Sequence, residues 1–138
     1  MAALVFSDGL RSRLEQWAGA GYPAELCGLL IGRNGNGRTE VAEVTRARNL
    51  NVERARDRFE LAPEDLLAAD ASARAAGLDL VGVWHTHPDH PARPSETDRA
   101  FAWEGWSYVI VAVGADGVRE LRSFRLKSGQ FEEEVIEA

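Results

Sequence analysis

Glycine-bearing turn signals divide this chain and limit what it can fold into. "NGNG" (34–37) separates the apolar run "ELCGLLIG" (25–32) from "RTEVAEVTRA" (38–47). Asn-Gly suits a two-residue hairpin turn, because both central residues need a positive φ that other side chains resist. Towards the other end, "DG" (116–117) and "KSG" (127–129) separate "SYVIVAV" (107–113), "VRELRSFRL" (118–126) and "QFEEEVIE" (130–137). Antiparallel hairpins at both ends argue against a purely parallel, doubly wound sheet.

The remaining segments fill in an α/β chain. "AALVF" (2–6) reads as a short strand, and Ser7 or Asp8 can cap a helix over about 8–20. Leu10, Leu14 and Trp17 share one face of that helix, and Gly19 and Gly21 end it. "RNLNVERARDR" (48–58) reads as a polar loop and "FELA" (59–62) as a brief strand. Pro63 suits the first turn of a helix over 63–77, closed by Gly77. "DLVGVWHTH" (79–87) reads as a strand, "PDHPARP" (88–94) as a loop, and "SETDRAFAW" (95–103) as a third helix capped by Ser95. The expected fold has roughly seven strands and three helices.

At 138 residues the chain suits one domain spanning 1–138. A net charge of −6 makes nucleic acid and anionic membrane poor partners. Cys27 is the lone cysteine, so the fold does not rely on an internal disulfide. "MAALVFSDGL" lacks the basic start and apolar core of a secretory leader, and no apolar run is long enough to span a bilayer. The expected location is cytoplasmic.

All three histidines fall between positions 85 and 90. On a strand, residues two apart share a face, so His85 and His87 aim together with Val83, while Trp84 and Thr86 face the other way. Two converging imidazoles make half of a zinc site. Asp98, in the first turn of the expected third helix, can add a carboxylate. Three protein ligands leave one tetrahedral corner for water, as catalytic zinc requires. Zinc-bound water turns nucleophilic near neutral pH, and a base must then move its proton. Glu25 is the candidate base: it opens an apolar strand, where a carboxylate is costly without a task or a partner. Ser95 can cap a helix, stabilise an oxyanion, or do both.

His85, His87, Ser95 and Asp98 satisfy H-x-H-x(7)-S-x-x-D, with Glu25 upstream in "PAELCGLLIG". This pattern resembles the JAMM motif of MPN-domain zinc metalloproteases, in particular the small single-domain prokaryotic type. "YPAELCGLLIG", "RNL", "RFELAPEDLL" and "LVGVWHTHP" follow that family's order. The resemblance implies a mixed, largely antiparallel curved sheet flanked by helices. It implies one Zn²⁺ with a bound water, held by His85, His87 and Asp98. Glu25 would be the general acid/base, and Ser95 would polarise the carbonyl. The implied activity is cleavage of a peptide or isopeptide bond after the C-terminal Gly-Gly of a ubiquitin-like or sulfur-carrier β-grasp protein. Only about eight residues separate Asp98 from the next strand, which leaves little room for the ubiquitin-holding insertions of larger relatives. Self-association into a homodimer is compatible with the sequence.

Other readings stand beside this one. A non-proteolytic MPN scaffold would normally lack ligands that are present here. A DNA-repair-associated relative shares nearly the same motif, although the acidic charge argues against direct DNA contact. A cupin wants a further glutamate and a distant histidine, and an amidohydrolase barrel needs about twice this length. His90 lies outside the pattern and reads as solvent-exposed. Cys27 reads as a small buried hydrophobe. Trp84, Trp103 and Trp106 read as packing residues, with a peptide groove as the alternative for the last two. Arg46, Arg48, Arg54, Arg56 and Arg58 read as a solvated face or a surface for an acidic partner.

Overall fold

A computed structural model describes residues 2–51, 59–95 and 102–138. In chain order the elements are β1 (Ala3–Val5), α1 (Asp8–Gly21), β2 (Cys27–Gly35), β3 (Arg38–Ala47), α2 (Pro63–Ala75), β4 (Asp79–Pro88), β5 (Ser107–Gly114), β6 (Gly117–Lys127) and β7 (Gln130–Glu137). The expected turns are present. Asn36 and Gly37 carry φ of 51° and 76° between β2 and β3, and Ser128 and Gly129 carry 52° and 78° between β6 and β7. Ser7 caps α1 by accepting the Leu10 N–H at 3.3 Å. Pro63 stands in the first turn of α2, as expected.

The curved sheet flanked by helices needs correction. The strands close into a seven-stranded barrel in the order β1-β3-β2-β4-β5-β6-β7. The three-residue strand β1 makes the closure, pairing in parallel with both β3 and β7. The β4–β5 pair is also parallel, and the other pairs are antiparallel. Two helices appear among the described residues. The third, expected over 95–103, falls largely on residues outside the description, and Ala102 and Trp103 are not helical. "FELA" is not a strand; it makes a single bridge, Asn49 to Leu61.

Side chains from all seven strands meet in one cluster, which α1 joins through Leu10, Leu14, Trp17 and Ala18. Helix α1 contacts β3, β5 and β6, which lie on opposite sides of the ring, and buries Leu14 and Ala18 in that cluster while its other face is exposed. Helix α2 packs outside on β2 and β4, with Ala69 and Ala73 against Leu29, Ile31 and Val83. Trp84 is fully buried and stacks on Trp17 at 5.9 Å, and its indole N–H donates to the Thr45 carbonyl at 2.7 Å. That bond runs over Gly28, where a Cβ would strike both the Thr45 carbonyl and the indole.

A bulge decides which β4 residues face outward. Leu30 pairs with Gly82 and Ile31 with Leu80, so Val81 has no counterpart on β2. Val81 therefore joins Trp84 in the barrel interior, and Val83 joins Leu80 on the α2 side. The face bearing Val83 continues to His85. A buried polar network links the strands beside the short β1. Arg125 pairs with Glu134 at 3.0 Å and donates to Thr39 Oγ1 at 2.6 Å, and Ser123 donates to Glu134 at 2.7 Å. This joins β3, β6 and β7 with the charges mutually satisfied.

Candidate metal centre and active site

The antiparallel ladder between β2 and β4 brings distant residues together. Its last pair is Cys27 with His85. One residue further, Leu26 and Thr86 bond reciprocally: the Leu26 N–H donates to Thr86 Oγ1 at 2.8 Å, and the Thr86 N–H donates to the Leu26 carbonyl at 2.9 Å. This clasp holds Glu25 beside His85. Glu25 Oε1 lies 3.1 Å from His85 Nδ1, and the two side chains are only 4% and 1% exposed. A carboxylate can only accept, so His85 Nδ1 donates and its lone pair lies on Nε2. His87 Nδ1 donates in turn to the Pro91 carbonyl at 2.9 Å, which also puts the lone pair on Nε2. The two rings are 4.8 Å apart, and Phe59 stacks on His85 at 4.6 Å.

Among the described residues, Glu25, His85 and His87 form a group whose potential ligand atoms lie within 4.8 Å of one another. The donor set fits zinc. Two imidazoles, each with one ring nitrogen engaged by an oxygen, match the usual arrangement of zinc-binding histidine. Asp98 lies outside the described residues. Ser95 is exposed and lines the same cavity as Glu25, His85 and His87, a space of about 810 Å³. The structure thus brings four of the five expected site residues to one cavity.

His90 is exposed, as expected, and it reaches the cavity rim. Trp103 is not packing: it is 53% exposed and lines the cavity beside Trp106, with ring centroids 4.6 Å apart. The Trp103 backbone N–H donates to the Tyr108 hydroxyl at 2.6 Å. Burial raises the Tyr108 pKa, and that bond pulls it partly back. Cys27 is buried, with Sγ 3.8 Å from the Ala47 carbonyl. Burial, with the Glu25 and Asp65 carboxylates adding, pushes its thiol up to about 12. Two of the arginines are engaged within the chain. Arg46 lies over Trp17 at 5.6 Å, and Arg48 pairs with Asp65 at 3.1 Å and Glu64 at 3.0 Å. Arg54, Arg56 and Arg58 lie outside the described residues.

Three supporting residues are not among the expected site residues, although they lie in the segments "RNL", "RFELAPEDLL" and "LVGVWHTHP". Thr86 makes the clasp, Phe59 stacks on a candidate ligand, and Asn49 donates from Nδ2 to the Glu25 carbonyl at 3.0 Å. Tyr22 adds an anchor by donating to Asp89 at 2.8 Å, just after His87.

The chain is similar to known proteins in sequence and in fold. A desampylase of Haloferax volcanii is 37% identical over 106 residues, covering 75% of this chain and 73% of that protein. A CysO-cysteine peptidase of Mycobacterium tuberculosis is 30% identical over 134 residues, covering 96% of this chain and 89% of that protein. A crystal structure of a JAB1/MPN domain protein from Archaeoglobus fulgidus superposes with a TM-score of 0.58 at 20% identity, covering 98% of this chain and 96% of that one, and so shares the fold. Residues 7–127 match the family described as prokaryotic homologs of the JAB domain, and the chain belongs to that family.

Proposed function

We propose that this chain is a zinc-dependent peptidase or isopeptidase. It hydrolyses the bond after the C-terminal Gly-Gly of a ubiquitin-like or sulfur-carrier β-grasp protein. The observation that carries the reading is the buried Glu25 carboxylate held against His85, with His87 alongside, at the wall of an open cavity. A buried carboxylate is costly unless its partners and its task compensate. The names of the relatives, a desampylase and a CysO-cysteine peptidase, support the substrate class.

His85, His87 and Asp98 would hold the zinc. When bound, zinc supplies Lewis acidity to water and to a carbonyl oxygen. The rest of the chemistry belongs to the chain. The Glu25 carboxylate takes a proton from the attacking water and delivers it to the departing amine nitrogen. The His85 Nδ1–H orients that carboxylate. The Ser95 hydroxyl donates to the carbonyl oxygen as negative charge grows there. The carrier's tail enters as an extended strand beside the end of β4 that runs past its β2 partner. The β2–β4 ladder ends at Cys27 and His85, and beyond it His87 and Pro88 line the cavity.

The test is direct. β-grasp carriers extended beyond Gly-Gly are incubated with the zinc-loaded protein, with and without chelator, and the products are weighed by mass spectrometry. The expected product ends at Gly-Gly and is absent with chelator. An intact carrier under all conditions, or cleavage indifferent to chelator, contradicts the reading.

A further inference from the structure

We propose that Asn49 is a positioning residue for this reaction: its carboxamide fixes the Glu25–Leu26 peptide plane and so aims the Glu25 carboxylate at His85. The inference rests on the reading of Glu25 as the base.

Glu25 lies two residues before the start of β2, so the strand ladder does not hold it. Its peptide link to Leu26 is pinned at both ends instead. The carbonyl end accepts from Asn49 Nδ2 at 3.0 Å. The amide end donates to Thr86 Oγ1 at 2.8 Å. A peptide unit is planar, so two bonds at opposite ends suppress its rotation and fix the direction of the Glu25 side chain.

Asn49 also accepts at Oδ1 from the Asn51 N–H at 3.0 Å and the Glu60 N–H at 2.9 Å. Those bonds staple 49–51 to the segment that carries Phe59, the ring stacked on His85. One side chain thereby references both the candidate base and a candidate ligand to the same piece of backbone. The task needs a donor and an acceptor at the two ends of one short planar group, which Asn provides and Asp does not.

The segment has other anchors. Leu50 N–H donates to the Glu60 carbonyl at 2.8 Å, and Ala62 N–H donates to the Arg48 carbonyl at 3.1 Å. The Arg48 N–H and guanidinium both bond Asp65. These anchors survive substitution of Asn49, and in Asn49→Asp what is lost is the bond to Glu25 alone.

The experiment compares Asn49→Asp, Asn49→Ala and Asp65→Ala with the parent, as full chains. Asn49→Asp keeps both accepted bonds and removes the donor. Asp65→Ala loosens the same segment without touching Glu25. Two quantities are read: hydrogen exchange of the Leu26 amide in the metal-free protein, and kcat and KM of the zinc-loaded protein on a carrier extended beyond Gly-Gly. Both Asn49 variants are expected to speed Leu26 exchange about 10-fold or more, and to lower kcat about 10- to 100-fold at little-changed KM. Asp65→Ala is expected to lower the melting temperature while leaving both quantities near parental. Parental Leu26 protection in Asn49→Asp overturns the proposal, whether or not the parent cleaves the carrier. So does a loss of kcat that Asp65→Ala reproduces. A parent that cleaves nothing defeats the assigned function, and the exchange measurement still decides the role of Asn49.

Discussion

Glu25 and His85 are 60 positions apart in sequence, yet Oε1 and Nδ1 meet at 3.1 Å, inside protein that hides almost all of both side chains. Removing the ring leaves a buried carboxylate without that donor, and also removes the surface on which Phe59 stacks. His85→Ala is therefore expected to lose about 3 kcal/mol of stability in the metal-free state, measured by urea unfolding. It is also expected to bind no stoichiometric zinc. An unfolding midpoint equal to the parent's would show that the pair does not hold the two strands together.

Gly28 and Gly35 offer a contrast within one strand. A Cβ at Gly28 meets the Thr45 carbonyl and the Trp84 indole, and at Gly35 it meets nothing within 4 Å. Gly28→Ala must break the indole bond or spread β2 from β3, at a cost of about 3 kcal/mol or more. Gly35→Ala should be close to neutral. Thermal melts of the two variants check this, and equal melting temperatures would contradict it.

Cys27 should behave as an inert thiol. Its pKa of about 12 in the fold, against 9.0 for a model thiol, keeps it protonated at neutral pH. Native protein is expected to resist iodoacetamide until it is unfolded. The same shift sets a sign. Between 9.0 and about 12 the unfolded thiol ionises while the folded one does not, so this contribution to stability is full below that window and falls as pH rises through it. The slope approaches about 1.4 kcal/mol per pH unit. Cys27→Ala should therefore lose less stability than the parent between pH 9 and 11. Parallel profiles would place the thiol in contact with solvent.

Much of this was legible in the residues, for identifiable reasons. Asn36-Gly37 and Ser128-Gly129 announce themselves because left-handed backbone favours few residue types. His85 and His87 announce a shared face because strand geometry repeats every two residues. Barrel closure was not legible. It depends on a three-residue strand, Ala3–Val5, finding two parallel partners far along the chain, and no local pattern records that. The Val81 bulge was hidden for the same reason, since it exists only in the register with β2. Trp103 looked like packing because its exposure follows from where the 102–106 turn lies against Tyr108, not from hydrophobicity. Asn49 and Thr86 act through the backbone of Glu25 and Leu26, and single polar residues in a loop or strand carry no periodicity.

The central claim is that Glu25 moves the proton while other residues hold the metal. The most direct measurement is made on Glu25→Gln, with zinc content and cleavage of an extended Gly-Gly carrier read on the same preparation. The account predicts one zinc per chain and turnover lower by about 100-fold or more, the range that general acid–base catalysis contributes. Cleavage at the parental rate, or loss of the zinc together with activity, would contradict it.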